Sequence, residues 1–104
     1  MAETASVLRI GIAGLGLAGS TMAHVISAHA NAKVVTAADL KRAVLENFAR
    51  DFEVETYATV EAMCSSPNID AVHIATPNRL HKQHADLAAE RGRHIIVEKP
   101  MGKY

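Results

Sequence analysis

The sequence predicts an α/β fold of three layers, in which helices cover both faces of a doubly wound parallel sheet. Short apolar runs alternate along the chain with segments whose apolar residues recur at helical spacing. The links between them are short, and the first apolar run leads directly into a glycine-rich turn. This alternation is typical of a parallel sheet with right-handed crossovers. We therefore predict five strands in the order 3-2-1-4-5.

Length and charge narrow the class of protein. The chain has 104 residues, which suffices for one domain with one core. Its 11 basic and 11 acidic side chains balance, so charge provides no general attraction to nucleic acid or to anionic lipid. The single cysteine, Cys64, favours a reducing compartment, and neither a signal peptide nor a membrane span is recognisable. We expect a cytoplasmic protein that acts on a small molecule, with no nucleic-acid or membrane partner.

The glycine turn Gly14-Leu-Gly-Leu-Ala-Gly19 lies between a strand predicted at residues 8–13 and a helix predicted at residues 17–29. Strand, turn and helix form the context in which G-x-G-x-x-G binds a dinucleotide. Gly14 permits the tight turn, Gly16 lets backbone approach a pyrophosphate, and Gly19 lets the helix pack on its strand. The pattern predicts a Rossmann-type fold that binds NAD or NADP through Gly14, Leu15, Gly16, Leu17, Ala18 and Gly19.

The second strand is predicted at residues 34–38 and ends in Asp39, about 20 residues beyond Gly19. A carboxylate at this spacing accepts hydrogen bonds from the adenosine ribose and repels the 2′-phosphate of NADP, so Asp39 favours NAD. A guanidinium at Arg42 could hold that phosphate, which leaves NADP open, although a solvated first helical turn is the simpler interpretation. We assign Asp39, Leu40 and Arg42 to the cofactor site.

The remaining elements are predicted in order: a helix at 41–52, a short strand at 53–57, a short helix ending before 65–67, a strand at 71–75, a helix at 79–91 and a strand at 94–97. The helix at 41–52 carries apolar residues at i, i+3, i+4 and i+7, which predicts one buried stripe: Leu45, Phe48, Ala49 and Phe52. We expect Asn78 to cap the helix at 79–91 and Gly92 to end it in a left-handed conformation.

Four polar features directly follow a predicted strand: the glycine turn, Asp39, Thr76-Pro-Asn78 and Glu98-Lys-Pro100. The carboxyl ends of parallel strands meet at one edge of a sheet, and ligands bind there at the point where the strand order reverses. We therefore expect these features to cluster in a ligand site between the first and fourth strands.

The motifs Gly11-Ile-Ala-Gly-Leu-Gly16, Ala38-Asp39, Ala75-Thr-Pro-Asn78 with Leu80-His81, and Glu98-Lys-Pro100 together resemble the glucose–fructose oxidoreductase/inositol dehydrogenase (Gfo/Idh/MocA) family. The resemblance implies an NAD(P)-dependent oxidoreductase that acts on a sugar, a polyol or a cyclic dihydrodiol. It also implies that Lys99 is catalytic and lies near the nicotinamide. The cofactor-binding residues it adds are Ala75, Thr76, Pro77, Asn78, His81, Glu98, Lys99 and Pro100.

Two roles are open for Lys99 within this resemblance. As an ammonium group it would donate a hydrogen bond to the reacting oxygen. As a neutral amine it would take the hydroxyl proton, which requires a pKa well below the roughly 10.4 of a free lysine. For His81 the resemblance implies a place near the cofactor or a hydrogen bond that pins the loop.

The family carries a second domain with a catalytic Asp and His that have no counterpart in this sequence. We therefore expect an amino-terminal fragment, truncated after the fifth strand, that is inactive alone. We expect the full-length protein to be a homo-oligomer, whereas the sequence leaves open whether the fragment is a monomer or associates through exposed apolar surface. The alternative is a dinucleotide-binding regulator or sensor of the same family without catalysis.

Histidines suggest no metal site in this sequence. His81 and His84 lie one helical turn apart, but no third ligand has suitable spacing, and His84 falls on an apolar stripe with Leu80 and Leu87. The other histidines are predicted to be packing or surface residues: His24, His29, His73 and His94.

Overall fold

The structure, a computed structural model, describes residues 7–97. Five strands form one parallel sheet: β1 Leu8–Ala13, β2 Ala32–Ala38, β3 Glu55–Tyr57, β4 Ala71–Ile74 and β5 His94–Val97. Four helices connect them: α1 Leu17–Ser27, α2 Arg42–Phe52, α3 Val60–Cys64 and α4 Asn78–Glu90. The strand order is β3-β2-β1-β4-β5, which confirms the predicted topology.

Two hydrophobic cores cover the two faces of the sheet, so the predicted three layers are confirmed. One core joins β1 and β2 to α1 and α2. Of the predicted stripe on α2, Leu45 and Phe48 are buried, whereas Ala49 and Phe52 are half-buried. The other joins β4 to α3 and α4 through Met63, Val72 and Ala88. The central strands β1 and β4 are buried at residues 10–13 and 71–74, because helices lie on both of their faces.

Several element boundaries differ from the sequence prediction by one or two residues; α2, for example, begins at Arg42 rather than at residue 41, and β3 at Glu55 rather than at residue 53. β2 begins at Ala32 rather than at residue 34, because Ala32 and Lys33 pair with the start of β1. α1 ends at Ser27, and the His29 amide then bonds the Ile26 carbonyl in a tighter turn. β4 ends at Ile74, although the next amide still donates to Ala13 at 2.8 Å.

The start of α4 corrects one prediction. Asn78 is the first helical residue and not the N-cap, which is Pro77 with an extended backbone. The Pro77 carbonyl accepts the Leu80 amide at 2.8 Å, so the backbone of the proline begins the helix. Proline has the φ angle that this position requires but no polar side-chain group with which to cap.

The end of α4 confirms the role predicted for Gly92, which has a φ of 76°. The Arg93 amide donates to the Ala88 carbonyl at 2.9 Å, and the Gly92 amide donates to the Ala89 carbonyl at 3.0 Å. These two bonds form the Schellman arrangement, which satisfies carbonyls at a helix end and requires a left-handed residue.

Arg9 and Asp70 join the amino ends of β1 and β4. The Asp70 carboxylate accepts the Arg9 amide at 2.9 Å and the Arg9 guanidinium at 2.8 and 3.1 Å. These hydrogen bonds and the charge of Arg9 lower the pKa of Asp70 to about 2 from 3.8. A carboxylate whose pKa is lower in the folded than in the unfolded state stabilises the fold at any pH above its unfolded-state pKa. This stabilisation is lost as the pH falls through the folded-state pKa.

We predict that Asp70→Asn flattens the acid side of the stability curve. The wild-type melting temperature should fall between about pH 4 and about pH 2 more steeply than that of the variant. Thermal denaturation followed by circular dichroism measures this difference. Asp86→Asn is the control, because it removes an exposed ion pair with Lys82 on α4. Parallel curves for the wild type and Asp70→Asn would show that the Arg9 pair contributes nothing to acid stability.

Candidate functional site

The carboxyl ends of β1, β2 and β4 meet at one edge of the sheet. The Gly14 amide donates to the Ala38 carbonyl at 2.8 Å, which joins the glycine turn to the end of β2. The Ala75 amide donates to the Ala13 carbonyl at 2.8 Å, which joins the turn after β4 to the end of β1. The strand order reverses here, as expected, and three of the four predicted polar features lie together.

Two glycines of the turn are required by the packing of the chain itself. Gly14 has a φ of +94°, and a Cβ there would lie 3.0 Å from the Thr76 amide nitrogen. A Cβ on Gly19 would lie 1.9 Å from the Gly14 carbonyl oxygen. Contacts with backbone atoms at these distances cannot be relieved by rotating a side chain, so both positions exclude other residues.

Gly16 differs from its two neighbours. A Cβ there would meet none of the described atoms within 4 Å, and its φ of −69° suits any residue. Packing among residues 7–97 therefore gives no reason for a glycine. The bare backbone instead leaves open space that a ligand can approach closely.

The amino terminus of α1 opens at the same place, because Gly16 is its N-cap. Within the described part of the chain, no side chain caps this helix and its first turn holds no acidic residue. The first amides of a helix lack intrahelical acceptors and carry a partial positive charge. An open glycine beside uncapped amides suits a phosphate group, so the geometry fits the diphosphate of a dinucleotide.

Asp39 ties the glycine turn to the end of β2. One carboxylate oxygen accepts the Leu15 amide at 2.8 Å, and the other accepts the Lys41 amide at 2.8 Å. These bonds fix the carboxylate at the rim beside the turn. Each oxygen has a second lone pair, so the group can still accept hydrogen bonds from a ligand. Its role toward a ribose stays a prediction.

Three other predicted residues around Asp39 are exposed. Leu17 and Leu40 have exposed fractions of 87% and 85%, unusually high for large apolar side chains. The side chain of Arg42 forms a hydrogen-bonded ion pair with Glu46 at 3.3 Å, one turn along α2. The leucines offer apolar surface to a ligand, whereas the guanidinium is engaged with its own helix.

Thr76 is held by two histidines of α4. The Nε2 atom of His81 lies 2.6 Å from the Thr76 carbonyl oxygen, so His81 pins the loop as one of its predicted roles requires. The Nδ1 atom of His84 lies 2.8 Å from the Thr76 hydroxyl. Sequence reasoning placed His84 in an apolar stripe and missed this contact. Burial, and then the charge of His81, lower the pKa of His84.

The other predicted residues on this side are only partly described. Ala75 is half-buried, and Pro77 and Asn78 are exposed on the rim. β5 ends at Val97 opposite Ile74, so this strand reaches the same edge. Glu98, Lys99 and Pro100 lie outside the described residues.

The other histidines lie in the core or at the surface, as the sequence predicts. His73 is buried within β4, whereas His24, His29 and His94 are exposed. Cys64 is buried, and burial raises the pKa of its thiol.

The opposite edge of the sheet carries a cavity with a volume of about 670 Å³. Arg9 and Asp70 line it and bond one another. Arg93, also in its wall, donates to the carbonyls of Cys64 and Ser66. Because these charged groups serve contacts within the fold, we place the functional site at the glycine turn.

Residues 7–97 contain neither a membrane-spanning helix nor a cluster of side chains suited to a metal ion. None of the helices described there is long and apolar enough to cross a membrane. No group of three or more His, Cys, Asp or Glu side chains in that range could hold a metal ion.

Comparison with known proteins agrees with this geometry. Residues 8–103 match a family model, GFO_IDH_MocA, described as an oxidoreductase family with an NAD-binding Rossmann fold. The chain is 35% identical over 95 residues to 1-carboxy-3-chloro-3,4-dihydroxycyclo hexa-1,5-diene dehydrogenase of Comamonas testosteroni, covering 90% of this chain and 24% of that protein. It is 34% identical to trans-1,2-dihydrobenzene-1,2-diol dehydrogenase of Mus musculus, covering 91% of this chain and 29% of that one.

A solved structure is also similar. The scyllo-inositol dehydrogenase of Lactobacillus casei, crystallised with NAD(H) and scyllo-inositol, superposes with a TM-score of 0.86 at 32% identity. The match covers 95% of this chain and 30% of that chain. This chain thus spans between about a quarter and a third of the length of these relatives. Its fold, glycine turn and matched residues show that it belongs to the Gfo/Idh/MocA oxidoreductase family, as an NAD-binding Rossmann domain.

Proposed function

We propose that residues 1–104 form the dinucleotide-binding domain of an NAD(P)-dependent dehydrogenase, with the cofactor diphosphate on the turn at residues 14–19. The observation that carries the proposal is Gly16. Its missing side chain serves no contact among the described residues, yet it opens the chain beside the uncapped amides of α1. Close approach of an anion accounts for both features.

The residues around the turn have distinct roles in this proposal. The amides that begin α1 bind the diphosphate, and the fixed carboxylate of Asp39 accepts the hydroxyls of the adenosine ribose. Leu17 and Leu40 bury their exposed apolar surface against the adenine side. The turn formed by Ala75, Thr76, Pro77 and Asn78, together with His81, borders the cofactor on the side toward β4 and β5.

Lys99 is the proposed catalytic residue, followed in the chain by Pro100 and preceded by Glu98. The bound nicotinamide would accept or deliver a hydride. Lys99 would either hold the reacting oxygen by a hydrogen bond or take its proton. It follows β5 by two residues in the sequence, and β5 ends at the edge of the sheet that carries the glycine turn. This assignment comes from the Glu-Lys-Pro match to the family.

The proposed substrate is a small hydroxylated molecule: a sugar, a polyol or a cyclic dihydrodiol. The names of the relatives support this class, since they specify inositol and dihydrodiol dehydrogenases. We propose that activity needs the further length that the relatives possess, and that this chain alone binds cofactor without turnover. A full-length protein would be a cytoplasmic homo-oligomer.

We predict that the chain binds NADH at least about 10-fold more tightly than NADPH, because a 2′-phosphate would meet the Asp39 carboxylate. Arg42 opposes this preference weakly, since its guanidinium is paired with Glu46. Asp39→Asn removes the charge and should narrow the ratio of the two dissociation constants by about 10-fold. Calorimetric titration of each variant with both cofactors measures this ratio.

The control is Asp51→Asn, which removes an exposed acid from the last turn of α2. It should leave the ratio unchanged. A folded wild type that gives no heat with either cofactor would contradict the proposed function. An unchanged ratio in Asp39→Asn would contradict only the cofactor preference.

A further inference from the structure

The side chain of Thr76 lies between the glycine turn and α4. A Cβ built on Gly14 would lie 3.0 Å from its methyl carbon, Cγ2, so the methyl group packs against Gly14. Its hydroxyl oxygen lies 2.8 Å from Nδ1 of His84. The two branches of one side chain therefore contact two different elements of the site.

Threonine has two heavy atoms on Cβ and occupies discrete staggered rotamers. A change of rotamer would move the methyl group away from Gly14 and would break the hydrogen bond to His84. The contact with His84 therefore selects the rotamer that packs on the glycine turn.

His81 holds the backbone of the same residue. A carbonyl oxygen only accepts hydrogen bonds, so His81 must donate its Nε2 proton to Thr76. Backbone and side chain of Thr76 are thus bound separately, by His81 and by His84. A packing role alone does not explain His84, since leucine would fill the stripe of Leu80 and Leu87 without burying a polar ring.

We propose that His84 is a positioning residue of the dinucleotide site: by binding the Thr76 hydroxyl it keeps the Thr76 methyl group against Gly14. It thereby holds the turn after β4 beside the glycine turn, where the diphosphate would lie. The inference rests on the proposed function, because the site that it positions is the dinucleotide site. The inference leaves the proposed substrate class as it is, and it assigns His84 no direct contact with the cofactor or the substrate.

The test compares His84→Leu with His84→Asn. Leucine suits the stripe but cannot bond the hydroxyl, whereas an asparagine amide places a polar atom close to the position of Nδ1. We expect both variants to fold, with NADH binding about 3- to 10-fold weaker in His84→Leu and restored to within about 2-fold of wild type in His84→Asn. Calorimetry with NADH and thermal melting of each variant provide the two readouts.

Thr76→Val completes a double-mutant cycle, because valine keeps the branched shape and removes the hydroxyl. In the Thr76→Val background, His84→Leu should weaken NADH binding no further. Additive losses would overturn the inference, as would NADH binding by His84→Leu equal to that of the wild type. Wild type that binds no NADH would instead contradict the proposed function, and with it this inference.

A second measurement needs no cofactor. Three-bond couplings to the Thr76 methyl carbon should indicate a single rotamer in the wild type and rotamer averaging in His84→Leu. A single unchanged rotamer in His84→Leu would overturn the inference even where the proposed function holds.

Discussion

Gly16→Ala is expected to weaken NADH binding by about 10-fold or more while the fold stays intact, each factor of ten being about 1.4 kcal/mol. A Cβ at this position meets no atom within 4 Å among the residues that the structure describes, and the backbone conformation accepts alanine. The new methyl group would project into the space that we assign to the diphosphate. Calorimetric titration with NADH measures the loss of affinity, and a melting curve shows whether the fold is intact.

Ser27→Ala is the matched control, because it changes an exposed residue at the far end of the same helix. It should bind NADH as the wild type does. Gly16→Ala should melt close to the wild-type temperature, since the lower entropy of the unfolded chain is offset by the weaker N-cap preference of alanine. Wild-type affinity in Gly16→Ala would mean that no ligand approaches this part of the turn.

Gly19→Ala should instead destabilise the fold, by about 3 kcal/mol or more. The added Cβ would lie 1.9 Å from the Gly14 carbonyl oxygen, and only a shift of α1 against β1 could relieve that contact. Urea unfolding measures the loss as a lower midpoint. Gly16→Ala is the natural comparison, because the same substitution three residues away meets no described atom. Equal midpoints for the two variants would show that the close packing of turn and helix is not required.

The fold could be predicted from sequence because its signals are local. β1 is apolar apart from Arg9 and is buried at residues 10–13, and the glycine turn follows it directly. The stripe on α2 and the left-handed Gly92 each depend on residues within a few positions of one another. Such patterns can be recognised in the sequence without knowledge of the tertiary structure.

Contacts between distant parts of the chain were not predicted, because no local sequence pattern indicates them. Arg9 and Asp70 are 61 residues apart, and only the register of β1 with β4 brings them together. Asp39 had a plausible ligand role from its spacing, but nothing local indicates that it also binds the Leu15 amide. The Pro77 cap was missed because Asn78 has the better capping side chain, whereas backbone geometry decides the helix start.

The contact of His84 with Thr76 was also not predicted, because it depends on the path of the loop that leads into α4. The two residues are eight positions apart, and Thr76 precedes α4, so helical spacing does not relate them. The loop must fold back over the start of α4 before they can meet. The helical period alone places His84 on the same face of α4 as Leu80 and Leu87. It does not indicate that the imidazole forms a hydrogen bond with Thr76.

Amide chemical shifts of the isotopically labelled chain, followed while NADH is added, test the central claim most directly. Binding at the glycine turn should shift the amides of residues 14–19, Leu40 and Thr76, and should leave those of Arg9, Asp70 and His94 at the opposite edge unchanged. Shifts confined to that opposite edge, or none at saturating NADH in a folded sample, would contradict the account.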